Sequence, residues 1–300
     1  MRRIFAALLS ALLCLGLSAC SAPAPAQPET PAHTVLVSPA PLAAKEKAPW
    51  PLCRVYFDGL LSDRGYVRDG AAYLSPAALC AFLGLDCQVQ ADAQSFTLTL
   101  PGLTVRGRAG QETVQAGSRY LYTPEGWLYW EGQLYLPADA LGRLFGLTIA
   151  GSEDGRTASL SPDDARLLDG SEGWYERRFR AEDIYWLEHI IVSESYQQPL
   201  AGQIGVGNVV LNRVASPLYP DTVMEVVIDR EGGVQFDPAA DGGVTMEPDE
   251  QSVLAARLCL EGYSTVGDCM YFLNPDKASS RWFEENLTEA IVIGNHAFYH

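Results

Sequence analysis

A glutamate at the end of an apolar helical stripe is the first candidate for chemistry in this chain. The spacing of Ile184, Leu187, Ile191 and Glu194 is 3, 4 and 3, which places the four side chains on one face of a helix. Glu194 therefore points toward the core and is partly desolvated. Because burial disfavours the charged form, we expect the pKa of Glu194 to be raised. A general acid needs that state near neutral pH.

Spacing alone favours an ordinary structural role for the same residue. A glutamate at a helix end can pair with a cation or cap a neighbouring turn, and Arg213 is the candidate cation. The stripe therefore leaves two interpretations of Glu194 open, a catalytic acid or one half of an ion pair.

The elements that position these residues are predicted to be mostly helical from residue 181 onward. Apolar periodicity and end signals indicate three helices and one short extended segment. In order, they are a helix from about Ala181 to Glu194, a helix over Gly202–Arg213, a helix from about Asp249 to Gly262, and a strand or extended turn at Tyr271–Leu273.

The composition indicates two domains and excludes a class of partner. Three hundred residues with 48% hydrophobic content are enough for two cores. The net charge is −16, and residues 181–300 hold 19 Asp and Glu against 5 Lys and Arg, a net charge of −14. Nucleic-acid binding needs basic surfaces, so this balance argues against it.

The N-terminus is predicted to be a signal peptide over residues 1–19. Arg2 and Arg3 precede an apolar run that is too short for a comfortable membrane span. Leu17–Cys20 resembles the cleavage box of bacterial lipoproteins, which implies lipid on Cys20 and an extracytoplasmic, membrane-anchored protein. An ordinary secretory signal is the alternative. Residues 20–50 are rich in Ala and Pro and are interpreted as an extended tether.

Five cysteines remain in the exported chain, where disulfides are permitted. Cys80 with Cys87 and Cys259 with Cys269 are candidate pairs, which leaves Cys53 unpaired. The connectivity stays open at this point. The cysteines and histidines lack metal-ligand spacing, so the sequence predicts neither a zinc site nor another cofactor.

Residues 51–162 contain an internal repeat. Asp69-Gly70-Ala71-Ala72-Tyr73-Leu74 is echoed by Glu131-Gly132-Gln133-Leu134-Tyr135-Leu136, and a short helix with a glycine cap follows each copy. The repeat resembles the copper amine oxidase N-terminal-like domain, which implies a spacer or wall-adhesion stalk. Ligand binding by Trp127, Tyr129 and Trp130 is the alternative. Residues 163–180 are interpreted as a linker.

Residues 181–300 resemble the SleB-type cell wall hydrolases, the spore cortex-lytic enzymes and their vegetative relatives. The matching blocks occur in order to the last residues of the chain. They include Ile191–Ser195, Val209–Val214, Pro220–Val223, Gln235-Phe236, Tyr271–Pro275, Ser280–Trp282 and Ile293–Tyr299. The implied fold class is α+β, with the repeat-containing stalk followed by a mainly helical, lysozyme-like catalytic domain.

The resemblance implies a lytic transglycosylase that acts on the glycan strands of peptidoglycan. Glu194 falls on the catalytic glutamate of the family, which favours the catalytic interpretation. Family position also implies that four residues bind substrate: Gln235, Tyr271, Asn274 and Trp282. For Tyr271 and Trp282, a role as core aromatics is the alternative.

Several positions depart from the family pattern. Gln198 replaces a second glutamate, Ser193 replaces alanine, and Tyr196-Gln197 replaces Arg-Gly. A two-carboxylate mechanism would need another acid. Asp237 is a candidate, although a solvated loop acid is the more ordinary interpretation.

Two rival functions therefore stay open. One is a catalytically weak, peptidoglycan-binding scaffold, and the other is a peptidoglycan amidase. For His296, a structural hydrogen bond is the favoured interpretation, and a catalytic role is the alternative.

Overall fold

The computed structural model describes residues 48–161, 165–230, 236, 244, 246–277 and 282–300. The predicted signal peptide, Cys20 and most of the tether lie outside these ranges, as do Gln235 and Asp237. None of the helices in the described ranges has the length and hydrophobicity needed to cross a bilayer.

Two β-sheets and two short helices form the N-terminal half. The strands are β1 Leu52–Phe57, β2 Leu60–Arg68, β3 Ala71–Leu74, β4 Gln88–Ala91, β5 Ser95–Leu100, β6 Leu103–Arg108, β7 Thr113–Ala116, β8 Arg119–Tyr122, β9 Leu128–Trp130, β10 Gln133–Pro137, β11 Ile149–Gly151 and β12 Thr157–Leu160. One sheet has the order β11-β12-β1-β2-β3-β10-β9 and the other the order β4-β5-β6-β7-β8. Only the pairing of β1 with β12 is parallel among these ladders of the described residues.

The two helices of this half end at the predicted glycines. Helix α1 spans Pro76–Leu83 and ends at Gly84, whose φ is 65°. Helix α2 spans Ala138–Phe145 and ends at Gly146, whose φ is 63°. Glycine adopts this left-handed conformation without a steric penalty, so the predicted caps are confirmed. The resemblance of this half to a stalk module stays a prediction.

The thiols of this half and of the following one are all free in the structure. Burial raises the pKa of Cys80 to about 12, and a hydrogen bond with Cys87 adds to the effect. The two members of the first candidate disulfide are therefore in contact. In the second candidate pair, Cys259 Sγ lies 3.3 Å from the carbonyl oxygen of Ile204, whereas Cys269 Sγ lies 4.0 Å from Nδ1 of His300.

Helices and a small sheet form the C-terminal half. The helices are α3 Trp174–Arg178, α4 Ala181–Ser195, α5 Leu200–Ala215, α6 Val223–Ile228, α7 Glu250–Leu260 and α8 Trp282–Asn286. The strands β13 Tyr271–Leu273, β14 Glu289–Ile293 and β15 His296–Tyr299 pair in the order β13-β15-β14. The three long predicted helices are present, but the mainly helical prediction omitted the hairpin of β14 and β15.

Glycines in α5 let its neighbours approach closely. A Cβ atom at Gly205 would lie 2.7 Å from the ring of Phe298 on β15. One at Gly207 would lie 2.7 Å from Sγ of Cys259 on α7. Helix α5 is therefore packed on one side by the small sheet and on another by α7, which fixes the core of this half.

A buried ion pair joins the two halves, which belong to one compact unit over Lys47–His300. Arg119 of β8 donates two hydrogen bonds to the carboxylate of Glu261, which also accepts one from the hydroxyl of Tyr175 at 2.9 Å. The ring of Trp174 covers the guanidinium of Arg119 at 3.5 Å. The segment predicted as a linker thus supplies two buried aromatic residues to this contact.

We expect Glu261→Gln to lower the free energy of unfolding by about 3 kcal/mol or more, because Arg119 would keep a buried charge without its counterion. Urea denaturation of the full chain measures this change. Asp139→Asn is the matched control, since Asp139 forms an exposed pair with Arg143 and such pairs contribute less than about 1 kcal/mol. Equal losses in the two variants would contradict the importance of the buried pair.

His296 makes the stability of the small sheet depend on pH. Its ring lies 5.4 Å from that of Phe272 and 6.3 Å from that of Phe298. Burial, and then the charge of Lys277, lower the pKa of His296. The unfolded chain therefore binds the proton more readily, so the free energy of unfolding falls as the pH drops below about 6.5.

We expect His296→Phe to remove this component, because phenylalanine suits the aromatic surroundings and does not titrate. Urea denaturation at pH 7, 6 and 5 measures the slope, with His300→Gln as the control at an exposed histidine. The account fails if His296→Phe keeps the slope of the unsubstituted chain.

Candidate active site

Glu194 lies at the buried end of the stripe that predicted it. Leu187 and Ile191 are 0% exposed in α4, and Glu194 is half-buried one position before the end of that helix. Its Oε1 atom is shielded from solvent. The helix therefore brings a carboxylate to the edge of the core, whereas the catalytic role of that carboxylate stays a prediction.

Hydrogen bonds hold the end of α4 in place. Ser195 donates its hydroxyl to the carbonyl oxygen of Ile191, and Gln203 donates its side-chain amide to the carbonyl oxygen of Ser195 at 3.3 Å. Ser195 and Gln203 are each 1% exposed. The backbone next to Glu194 is thus fixed by contacts within α4 and with α5.

Arg213, near the end of α5, is a buried cation. It is 4% exposed, and its Nε donates a hydrogen bond to the carbonyl oxygen of Met270 at 2.9 Å. Three aromatic rings surround its guanidinium, with centroids at 5.2 Å for Tyr219, 5.1 Å for Phe236 and 5.6 Å for Tyr271. Aromatic faces attract a cation, so these rings offset part of the cost of burying it.

Two carboxylates act on this buried cation. Burial lowers the pKa of Arg213, and the electrostatic influence of Tyr219, Tyr271, Asp229 and Glu194 opposes that change. Glu194 and Asp229 therefore lie within the field of the guanidinium. The association of Glu194 with Arg213 agrees with the structural interpretation and is compatible with the catalytic one, since a fixed positive charge favours the carboxylate that remains after proton donation.

A groove opens beside this cluster. The hydroxyl of Tyr219 donates a hydrogen bond to that of Tyr271 at 3.2 Å, and burial is the main cause that raises the pKa of Tyr219 to about 12. Tyr219 also lines a surface groove of about 590 Å³. The groove continues along Pro220, Asp221, Glu225, Ile228, Asp229 and Arg230. Its volume is in the range of small-ligand sites.

The other predicted binding residues are placed differently. Tyr271 lies on the Arg213 cluster, whereas Asn274 Oδ1 accepts a hydrogen bond from the amide of Asp276 and so shapes its own turn. Trp282 is 51% exposed, which argues against its interpretation as a core residue. Gln235 lies outside the described residues, although the next residue, Phe236, contacts Arg213.

Gln198 is an anchor for the β14–β15 hairpin. Its Oε1 accepts a hydrogen bond from the backbone amide of Asn295 at 2.9 Å, and its own carbonyl oxygen accepts one from the side chain of Gln251 at 2.8 Å. The first contact requires only an acceptor at position 198. A glutamine can therefore replace the family's glutamate here without loss of this contact.

Sequence reasoning missed two members of the cluster. Tyr219 lies between matching blocks but carries no recognisable signal as a lone aromatic residue, and Asp229 lies in none of them. Both are identified by their effect on Arg213. Among the described residues, no group of three or more His, Cys, Asp or Glu side chains could hold a metal ion.

We expect Gln198→Ala to lower the free energy of unfolding by about 1 kcal/mol, because the amide of Asn295 loses its acceptor. Gln198→Glu keeps an acceptor and should stay within about 0.5 kcal/mol of the unsubstituted chain. Thermal and urea denaturation of both variants test this. A large loss in Gln198→Glu would show that the position does not tolerate the family's residue.

Comparison with known proteins identifies a matching family model and several relatives. Residues 197–299 match the family model described as Cell Wall Hydrolase, and this match begins three residues after Glu194. The spore cortex-lytic enzyme of Bacillus cereus is 25% identical over 257 residues, which cover 74% of this chain and 96% of that protein. The enzyme of the same name from Bacillus subtilis is 31% identical over 138 residues, which cover 46% of this chain and 44% of the relative.

Two solved structures are also similar. The catalytic domain of the germination-specific lytic transglycosylase SleB from Bacillus anthracis is 31% identical, with 41% of this chain and 97% of that chain covered and a TM-score of 0.37. The catalytic domain of SleB from Bacillus cereus has the same identity and TM-score, with 92% of that chain covered. From the match of residues 197–299 and from the relatives, this chain is an enzyme that cleaves peptidoglycan.

Proposed function

We propose that this enzyme is a lytic transglycosylase that cuts glycan strands between N-acetylmuramic acid and N-acetylglucosamine, with Glu194 as its general acid and base. The observation that carries the proposal is the position of Glu194. One carboxylate oxygen of Glu194 is shielded from solvent, and the buried guanidinium of Arg213 lies within its electrostatic range. Tyr219, which contacts the same guanidinium, lines the surface groove.

The proposed reaction needs one carboxyl group. Protonated Glu194 donates its proton to the glycosidic oxygen as the bond from that oxygen to C1 of muramic acid breaks. The resulting carboxylate accepts the proton of the C6 hydroxyl on the same sugar, and O6 bonds to C1 to close a 1,6-anhydro ring. Glu194 ends the cycle protonated, and no water is consumed. Glycosidases that use water generally need a second carboxyl group.

Arg213 and the aromatic residues have supporting roles in this proposal. When Glu194 loses its proton, the fixed charge of Arg213 stabilises the carboxylate without reorganisation of solvent. The exposed ring of Trp282 suits stacking on a sugar face. Tyr271, Asn274 and Gln235 stay assigned to substrate binding by family position.

A hydrolytic reaction is the second candidate, and Asp229 is the observation that favours it. Asp229 is a half-buried carboxylate that lines the groove and acts on Arg213 together with Glu194. In a hydrolase, one acid protonates the leaving group while the second carboxylate activates water or attacks C1. The two reactions differ in their products, since hydrolysis leaves a reducing end.

The setting is also part of the proposal. The names of the relatives support spore cortex peptidoglycan as the substrate. We further propose that the protein is extracytoplasmic and anchored through lipid on Cys20, with a tether over residues 20–50, a stalk over 51–162, a linker over 163–180 and the hydrolase domain over 181–300.

We expect Glu194→Gln to slow the release of fragments from purified peptidoglycan by about 10²- to 10⁴-fold, because the amide cannot transfer the proton. Mass spectrometry of the fragments released by the full chain measures both rate and product, with 1,6-anhydro ends expected. Glu188→Gln is the matched control, since Glu188 is a half-buried glutamate of the same helix that lies outside the cluster.

Other outcomes would contradict the proposal in distinct ways. Reducing ends in place of anhydro ends would establish hydrolysis, and Asp229→Asn should then abolish it. Binding to peptidoglycan without any fragments, in both the unsubstituted chain and Glu194→Gln, would favour the scaffold.

A further inference from the structure

A second and larger groove lies between the five-stranded sheet and helix α7. It has a volume of about 790 Å³. Strand β6 contributes Arg106 and Arg108, and α7 with its N-cap contributes Asp249, Glu250 and Arg257. We call this groove, defined by these five residues, the arginine cleft. No described residue of the Arg213 cluster lines the arginine cleft, and no described residue is shared between this cleft and the groove beside Tyr219.

The positive charges of the arginine cleft are available to a ligand. Arg106 and Arg108 are exposed and alternate along β6, so both side chains point to the same face of the sheet. Arg257 is half-buried, with its guanidinium 5.3 Å from the ring of Tyr175. None of the three forms an ion pair with any described residue. Arg257 does act on Glu188. Burial raises the pKa of Glu188, and the positive charge of Arg257 makes this rise smaller.

The cleft thus holds three guanidinium groups that form no ion pair with any described residue, in a chain whose net charge is −16. Arginine binds carboxylates through paired hydrogen bonds, so the cleft suits a ligand with several carboxylates. The N-terminus of α7 adds two acidic residues to the lining of the cleft. Asp249 accepts a hydrogen bond from the amide of Ser252, and Glu250 is exposed. These carboxylates suit an amine on the same ligand and repel a polymer that carries only negative charge.

The remaining lining suits a peptide. Gln111, Thr113 and Gln115 offer amide and hydroxyl groups, and Tyr120, Val253 and Leu254 offer apolar surface. Glu250 and Arg257 are seven positions apart in α7, which is about 10 Å along the helix axis at 1.5 Å per residue. An extended peptide of four residues spans about 14 Å. A tetrapeptide can therefore contact both the arginine and the acidic parts of the cleft.

We propose that the arginine cleft binds the stem peptide of peptidoglycan, the short peptide on muramic acid that carries several carboxylates and one free amine. This inference rests on the proposed function, since it assigns a second contact with the same polymer. The residue after Glu250 is Gln251, whose side chain donates a hydrogen bond to Gln198 in the connection that follows α4. The acidic end of the cleft is thus linked to the connection that follows α4, the helix that carries Glu194.

With the stem peptide in the arginine cleft, the N-terminal half also contacts the substrate. The cleft exists only because β6, β7 and β8 lie against α7, and the Arg119–Glu261 pair holds the same two halves together. Glycan strands that carry intact stem peptides should therefore bind to the protein more tightly than glycan strands from which the peptides have been removed.

Calorimetric titration of the full chain with a synthetic stem tetrapeptide, free of sugar, tests the proposal at low ionic strength. We expect the Arg106→Gln/Arg108→Gln double variant to raise the Kd by about tenfold or more, because two charge-assisted contacts are lost. Arg64→Gln is the matched control, since Arg64 is an exposed arginine on β2 of the other sheet. The control should bind like the unsubstituted chain.

Three results would overturn the proposal: no binding of the peptide, unchanged binding by the double variant, or tighter binding of a glycerol phosphate oligomer than of the peptide. The same titration on Glu194→Gln separates this site from the proposed function. If Glu194→Gln binds the peptide normally while the unsubstituted chain releases no anhydro fragments, the proposed function fails and the peptide site stands.

Discussion

The burial of Arg213 is the constraint on which the rest of the catalytic half depends. A guanidinium that is 4% exposed is costly unless its surroundings compensate for the loss of water. Compensation comes from the carbonyl of Met270, three aromatic rings, and the charges of Glu194 and Asp229. These groups come from distant segments of the chain. The surroundings of one buried cation are therefore built jointly by α4, α5, β13 and the adjoining loops.

The same principle operates at the junction of the two halves. Arg119 is buried against Glu261 and covered by Trp174, so the sheets of the N-terminal half are fixed against the helices by another compensated cation. That arrangement creates the arginine cleft, whose three arginines form no ion pair with any described residue. Each half thus buries one arginine for structure, whereas the arginines of the cleft are proposed to bind a ligand.

Local patterns in the sequence predicted the elements that depend on local interactions. The stripe of Leu187, Ile191 and Glu194 gave α4, and the caps at Gly84 and Gly146 ended the short helices where expected. The β14–β15 hairpin was missed because its stability comes from pairing with β13 and from packing of Phe298 on Gly205. Such contacts between distant segments leave no periodic signal.

The site could be predicted only in part for the same reason. The apolar stripe indicated Glu194, and the resemblance indicated Tyr271 as a candidate for substrate binding. Tyr219 and Asp229 are recognised only by their positions around Arg213. The anchoring role of Gln198 also depends on a backbone amide 97 residues away. A sequence shows that this position departs from the family, but only the fold shows what the glutamine contacts.

A crystal structure of the Glu194→Gln chain with a bound oligosaccharide of alternating N-acetylmuramic acid and N-acetylglucosamine tests the central claim most directly. The account predicts the sugar chain in the groove beside Tyr219, with a glycosidic oxygen within about 3.2 Å of the side chain at position 194. A sugar chain bound elsewhere, or one whose glycosidic oxygens all lie beyond reach of that side chain, would contradict the assignment of Glu194 as the acid.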